Sequence, residues 1–408
     1  MRVRFRVTQN PYKKVPCQDY YRFNDNPERS FPFCPCPQRI QWERFTCSFI
    51  SGRCIPHAMR IDFIEFTSME LARTEPFRIS RGSTTVAPNV LVGVHAGSLV
   101  GHGCGAPTEV TRENLASAMD AVRALVRALQ DFPFDTPREV ADKMDKIIPG
   151  NPSAKAAIDI AIHDLLAQQA GVPLHRFLGA TKDRMATDMT IGIMRSSDAL
   201  ERATRWVREG FRSLKVKVGT DPRVDLERLR AIRRAVGPSV ELRIDGNQGY
   251  TWSQALNFAR AAKDIGVAFF EQPVAASDYE GMRVLTESSP IPVMADEMVL
   301  TPDDAKKVRW ANCAKAVNLK LMKHGGIVRT ADVNTICESA GYPTMVGCMG
   351  EPQLSIAAGL AFALANKNVR WLDLDSFFNL AEDPSSGLRF ENGELVASPR
   401  PGLGITLA

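Results

Sequence analysis

From residue 185 onward the chain keeps a beat. Short runs of β-branched and apolar residues end at Thr190, Lys217, Asp245, Glu271, Asp296, Lys320, Cys348 and Asp373, at intervals of 24 to 28 residues. Between them, as in residues 225–235 and 253–263, apolar residues recur at three- and four-residue spacing, the pattern of an amphipathic helix. A strand, a crossover helix and two turns take about this length. Eight such units predict an α/β fold, a (β/α)8-type barrel, with functional groups at the C-terminal ends of its strands.

Five successive strands end in charge: Lys217, Asp245, Glu271, Asp296 and Lys320. One charged residue after a strand is ordinarily a solvated loop residue. Parallel barrel strands, however, are buried on both faces, and ionised groups converging on one mouth repel or desolvate unless a ligand balances them. Asp245 in Ile-Asp-Gly-Asn, Glu271 in Phe-Glu-Gln-Pro and Asp296 in Ala-Asp-Glu come from three consecutive strands, about 4.8 Å apart. They can reach one hard cation, and all-oxygen ligation selects Mg²⁺, with Mn²⁺ as a possible substitute. Glu297 is expected to point away from Asp296.

Lys215 and Lys217, in Leu-Lys-Val-Lys, share one face of a strand, and Lys320, in Asn-Leu-Lys-Leu-Met-Lys, stands on the other side of the trio. Buried ammonium groups near a metal and near each other are expected to have lowered pKa values. Such lysines act as bases near neutral pH. Two of them, opposed across a substrate carboxylate, could remove a proton from one face of a carbon and return one to the other, with Mg²⁺ stabilising the enediolate between. That chemistry is epimerisation, or β-elimination where a leaving group is present.

Other chemistries fit less well. None of the six histidines falls at the seventh strand end, Met345-Val-Gly-Cys-Met-Gly-Glu351. Gly101-His-Gly-Cys-Gly105 matches neither a Walker loop nor a dinucleotide fingerprint and is expected to be a loop of a smaller domain. Cys348 has no histidine partner and reads as barrel packing.

Residues 1–58 are a different text. They hold ten Lys/Arg against four Asp/Glu, so the other 350 residues carry a net −1 of the chain's +5. That remainder lacks the basic excess that drives phosphate binding, which argues against a nucleic-acid partner. Prolines and cysteines crowd the segment without helical or strand period, and Cys34-Pro-Cys36 lacks the spacing of a zinc knuckle. It is expected to be an atypical, disordered extension without a secretory signal, since no apolar core follows its basic start. The fold is expected to begin with an alternating strand at Met59. Nowhere does the chain reach the roughly 18 apolar residues of a membrane span, and without a disulfide framework its cysteines suggest a reducing cytoplasm.

Taken together, Pro76-Phe-Arg-Ile-Ser-Arg-Gly82, Ser153-Ala-Lys-Ala-Ala-Ile-Asp-Ile-Ala161, the Lys215/Lys217 pair, the Asp245/Glu271/Asp296 trio and Asn318-Leu-Lys320 resemble the enolase superfamily, in its muconate-lactonizing-enzyme subgroup. The resemblance covers nearly all of residues 59–408. It implies an α+β capping domain at 59–183, a barrel at 184–375 and a C-terminal segment, 376–408, returning to the cap. It also implies Mg²⁺-dependent abstraction of a proton α to a carboxylate. Lys217 and Lys320 would be the acid/base pair, with Lys215 assisting electrostatically.

Trp371-Leu-Asp373-Leu-Asp375 is similar to the Asp-x-Asp motif of dipeptide epimerases, whose carboxylates receive the substrate's α-ammonium. Two acids at alternate strand positions share a face and can grip one cation. Thr190 resembles a first-strand substrate contact of the same enzymes, and Arg81 is a candidate partner for a side-chain carboxylate. The resemblance implies L-Ala-D/L-Glu as the default substrate, a place in murein-peptide recycling, a small-molecule partner and a homo-oligomer. N-succinylamino-acid racemase or o-succinylbenzoate synthase chemistry on the same scaffold is the first rival, and a non-catalytic binding protein of this fold is the second.

Overall fold

The computed structural model describes residues 59–408. The extension, its cysteines and the reading of them lie outside the described residues.

Eight parallel strands follow one another in sequence order around a single sheet. They are Met189–Ile191, Ser213–Lys217, Glu241–Asp245, Val267–Glu271, Val293–Ala295, Ala316–Leu319, Thr344–Gly347 and Val369–Asp373. A parallel bridge between Thr187 and Leu372 joins the eighth strand to the segment entering the first, so the sheet closes nearly into a barrel. Each of the seven crossovers carries an α-helix, and the one after the sixth strand adds a short turn of helix, Leu321–His324. The eighth strand is followed directly by a 3₁₀ turn, Ser376–Asn379, in place of an α-helix. The strands end where the sequence beat places them, within one or two residues.

Ahead of the barrel, Phe63–Ile79, Gly82–Ala96 and Leu99–Gly105 form an antiparallel sheet. The first alternating run is split, since Met59–Arg60 pairs with Pro133–Phe134 before the long strand starts. Helices Leu115–Leu129, Pro137–Ile147 and Pro152–Gln169 follow. The last is buried on nearly every side, so it carries no amphipathic stripe.

The glycine-rich stretch is a strand, not the loop expected. Gly101, Gly103 and Gly105 alternate along Leu99–Gly105 and so share one face. A methyl at these positions would run into the backbone carbonyls of Ala161, Ala157 and Ser153 in Pro152–Gln169. The glycines let a helix lie directly on the strand.

That helix also fastens cap to barrel. Asp159, fully buried, accepts the Ile327 amide at 2.5 Å at the start of barrel helix Ile327–Ser339, a favourable place for a carboxylate. Asp164 accepts the amides of His102 at 2.9 Å and Leu403 at 2.6 Å, binding the cap strand and the C-terminal segment to one side chain. Arg138 pairs with Asp332 at 2.6 Å, and Arg329 with Asp142 at 2.6 Å and Asp145 at 2.7 Å, across the same seam.

Overpacking a close helix–strand contact costs about 1–3 kcal/mol. Gly103→Ala is therefore expected to lower stability by at least that much in urea unfolding. Gly82→Ala, where a methyl meets nothing within 4 Å, should change it by less than about 0.5 kcal/mol. Equal effects would contradict the packing described for this strand.

Candidate active site

Strand register does the first part of the assembly. Lys217 pairs with Asp245 and Asp245 with Glu271, so three charged residues stand side by side across strands two to four. Asp296 and Lys320 each follow their strand by one residue. All five are buried, as are Lys215, Asp373 and Asp375.

Two lysines flank the trio. Lys217 Nζ donates to Asp245 Oδ2 at 2.6 Å, and Lys320 Nζ to Asp296 Oδ2 at 2.8 Å. They come from the second and sixth of eight strands, opposite points of the barrel. Lys215 stands among the acids, with Nζ 2.7 Å from Asp373 Oδ2, 2.8 Å from Glu271 Oε2 and 3.1 Å from Asp245 Oδ2.

Asp373 and Asp375 converge, but not as two residues of one strand. Asp373 ends the strand, whereas Asp375 has helical backbone angles at the start of the 3₁₀ turn. The oxygens of Asp188, Asp373 and Asp375 lie within 4.8 Å of one another, closer than the trio, whose members are held apart with Lys215 among them. Thr190 braces this cluster. Its amide donates to Asp375 Oδ2 at 2.5 Å and its hydroxyl to Asp373 Oδ1 at 3.4 Å. Arg81, in the turn of the cap hairpin, has its guanidinium 3.8 Å from Glu109, an exposed side chain. Ser80 beside it does reach the mouth, donating to the Asn247 carbonyl at 2.9 Å.

Several residues of the site escaped the sequence reading. Lys323, buried, donates to Asp296 Oδ1 at 2.7 Å and to the carbonyls of Asp296 and Asn318 at 2.8 and 2.7 Å. Asn318 donates to Glu271 Oε1 at 2.8 Å. Gln272 Oε1 accepts the amides of Asp296 and Met298 at 3.0 and 3.3 Å, tying the fourth strand end to the fifth. Arg243 holds Asp188 at 2.7 Å. Glu297, which the sequence did single out, is buried and accepts from the Asn247 side-chain amide at 3.2 Å. The quoted motifs Phe-Glu-Gln-Pro and Asn-Leu-Lys-Leu-Met-Lys contain Gln272, Asn318 and Lys323, and their burial beside charged strand ends was the available signal.

The electrostatics are those of unmatched negative charge. Eight buried carboxylates (Asp188, Asp245, Glu271, Asp296, Glu297, Glu351, Asp373, Asp375) face five buried cations (Lys215, Lys217, Arg243, Lys320, Lys323) among the described residues. Burial and the neighbouring Asp245 push Glu271 up to about 8. Burial with Asp296 lifts Glu297 to about 7, burial lifts Glu351 to about 7, and burial with Asp373 lifts Asp375 to about 6. Asp245 goes the other way: burial opposes it, yet Lys217 and Lys215 draw it down to about 2.

The lysines correct an expectation. Burial is the largest single influence and pulls Lys320 and Lys215 down, but Asp296, Glu271 and Asp373 together outweigh it at Lys320, and Asp373, Glu271, Asp245 and Asp188 together do so at Lys215. Both are held above the ordinary lysine value. The reading of lowered lysines assumed a cation already sharing those carboxylates.

All-oxygen donors from adjacent strands suit a hard divalent cation. Among the described residues, buried oxygens without a hydrogen-bond donor gather at the same mouth: Asp188 Oδ1, Asn247 Oδ1, Glu297 Oε2 and Asn318 Oδ1. An excess of unfilled acceptors is what a cation would relieve.

Known proteins bear on this geometry. Residues 63–179 match the mandelate racemase / muconate lactonizing enzyme N-terminal domain, and residues 198–408 match the enolase C-terminal domain-like family. The chain is 36% identical to the hydrophobic dipeptide epimerase of Enterococcus faecalis, over 85% of this chain and all of that one. A substrate-liganded complex of the L-Ala-D/L-Glu epimerase from Bacillus subtilis superimposes with a TM-score of 0.83 at 33% identity, covering 85% of this chain and 99% of that one. A Methylococcus capsulatus dipeptide epimerase, complexed with Mg and L-Arg-D-Lys, does so with a TM-score of 0.81 at 35% identity, covering 85% and 99%. The chain belongs to the enolase superfamily, with the paired domains of its mandelate racemase and muconate lactonizing branch, and it is an enzyme of the dipeptide-epimerase kind.

Proposed function

We propose that this enzyme epimerises dipeptides at the α-carbon of the C-terminal residue by 1,1-proton transfer. The observation that carries the reading is the opposition of Lys217 and Lys320 across the trio, each anchored on one of its carboxylates. A substrate carboxylate seated at the trio brings its α-carbon between the two amino groups. The neutral lysine takes the α-proton, and the electron pair spreads into the carboxylate as an enediolate. The protonated lysine returns a proton to the opposite face, which inverts the centre. Lys215 adds fixed positive charge beside the same carboxylate.

Asp245, Glu271 and Asp296 would hold a Mg²⁺ ion, with Mn²⁺ as a substitute. Bound there, the ion would supply positive charge against the negative charge that builds on the substrate carboxylate. Asp373 and Asp375, braced by Thr190, would receive the α-ammonium, displacing the proton or lysine contact that now offsets their charge. The relatives' magnesium and dipeptide complexes support this reading. Those relatives are a hydrophobic dipeptide epimerase, an L-Ala-D/L-Glu epimerase and an enzyme complexed with L-Arg-D-Lys. L-Ala-D/L-Glu is the default substrate from the resemblance. A cytoplasmic place in murein-peptide recycling accords with Cys104, Cys313, Cys337 and Cys348, which are free thiols.

Proton exchange in D₂O separates the two lysines. Lys217→Ala and Lys320→Ala should each slow epimerisation by about 10²–10⁴-fold. Each should retain exchange of the α-proton from the enantiomer facing the intact lysine. Normal epimerisation by either variant would end the two-base reading.

Metal affinity should follow Glu271. Its carboxyl, raised to about 8, is mostly protonated at pH 7 and must ionise to bind a cation. Mg²⁺ should bind tighter as pH rises toward 8, and calorimetry at pH 7 in buffers of different ionisation enthalpy should show proton release. Heats independent of the buffer would contradict this.

Asp373→Asn should cut kcat/KM for a dipeptide at least tenfold. Racemisation of N-succinylamino acids by an otherwise unaffected Asp373→Asn enzyme would favour the rival chemistry instead.

A further inference from the structure

The cap strand Phe63–Ile79 leaves its neighbour midway. Its register with Gly82–Ala96 shifts between Ala72 and Phe77, and in the gap Arg73 bridges to Leu380, just past the eighth barrel strand. The Ala381 amide fixes the detour by donating to the Ala72 carbonyl at 2.8 Å. Arg73 is thereby carried over the loops that follow the seventh and eighth strands. Its guanidinium fills the space that Gly350 leaves open, since a methyl there would come within 2.7 Å of Nη2. It also lies 5.4 Å from the centre of the Phe77 ring.

Two features mark this arginine as waiting for a ligand. Its Nε is buried without a hydrogen-bond partner among the described residues, a costly arrangement for a charged donor. The titratable groups facing it are Cys348 and Asp375, which belong to the substrate mouth rather than to the cap. Burial lowers its pKa and those two partly restore it, but a guanidinium stays charged regardless.

Position then decides which part of a dipeptide it meets. The Phe77 ring centre lies 5.4 Å from the Arg73 guanidinium and 6.0 Å from Lys217 Nζ. The reacting C-terminal residue must sit between Lys217 and Lys320. The amino-terminal residue, its ammonium at Asp373 and Asp375, meets Arg73, which Asp375 faces.

We propose that Arg73 selects dipeptides with an anionic side chain on the amino-terminal residue, receiving that carboxylate beside Gly350. The assignment rests on the dipeptide reading given above and deepens it. It makes the enzyme one for acid-first dipeptides, in place of the acid-second L-Ala-D/L-Glu default that the resemblance alone implies.

The test is kcat/KM of the Mg²⁺-loaded full-length enzyme on L-Glu-L-Ala, L-Met-L-Ala and L-Ala-L-Glu. The neutral methionine matches glutamate in length. Wild type should favour L-Glu-L-Ala over L-Met-L-Ala at least tenfold and over L-Ala-L-Glu. Arg73→Met should collapse the Glu/Met ratio toward one. Gly350→Ala, which crowds the guanidinium without removing it, should lower the same ratio and keeps the test decisive where Arg73→Met does not fold. Turnover of dipeptides without Glu/Met discrimination, a ratio unchanged in both variants, or a preference for L-Ala-L-Glu would overturn the role of Arg73 while leaving the dipeptide reading standing. Turnover of no dipeptide at all would remove both.

Discussion

Eight carboxylates buried at one end of a barrel cannot all stay ionised beside five cations, because charge repulsion is strong where water is scarce. This imbalance organises the site. The excess shows in carboxyls pushed up to neutral pH or above, Glu271 to about 8 and Glu297 and Glu351 to about 7, and in Lys215 standing where three acids meet. On the proposed reading, a divalent cation would take the place of the Glu271 proton and an ammonium would settle beside Asp373 and Asp375. The opposed lysines would then be free of their carboxylates to move protons.

The scaffold keeps that charge in place. Parallel register sets Lys217, Asp245 and Glu271 abreast, and a lattice of uncharged donors, Gln272 and Asn318 among them, spends no net charge in aiming the acids. Arg228 holds the Lys217 carbonyl at 2.7 Å from outside the barrel. The cap completes the enclosure only because Gly101, Gly103 and Gly105 let its sheet press against Pro152–Gln169, whose Asp159 and Asp164 reach the barrel and the C-terminal segment. A detour in one cap strand then brings Phe77 and Arg73 over the mouth.

The barrel was legible because its repeat is long, regular and punctuated by charge, and strand ends are where such charge has consequences. The trio and the three lysines could be read for the same reason, as could the pairing of Asp373 with Asp375. What could not be read was partnership. Nothing local says that Lys323 rather than solvent holds Asp296, that Asp188 joins Asp373 and Asp375, or that Arg81 turns to Glu109 while Arg73 turns inward. Those contacts are made by residues distant in sequence. The raised lysines belong here too, since their sign depends on how many carboxylates surround each ammonium. The glycine strand is a different case: its two-residue period was present in Gly101, Gly103 and Gly105, but glycine clusters more often mark turns, and that association prevailed.

The most direct measurement of the central claim is proton NMR of the wild-type enzyme in D₂O with Mg²⁺ and L,L-dipeptides. The account predicts that the α-proton signal of the C-terminal residue disappears, that the amino-terminal α-proton persists, and that L,D-dipeptide signals grow as deuterium enters. Persistence of both α-protons across the set, or exchange confined to the amino-terminal residue, would contradict it.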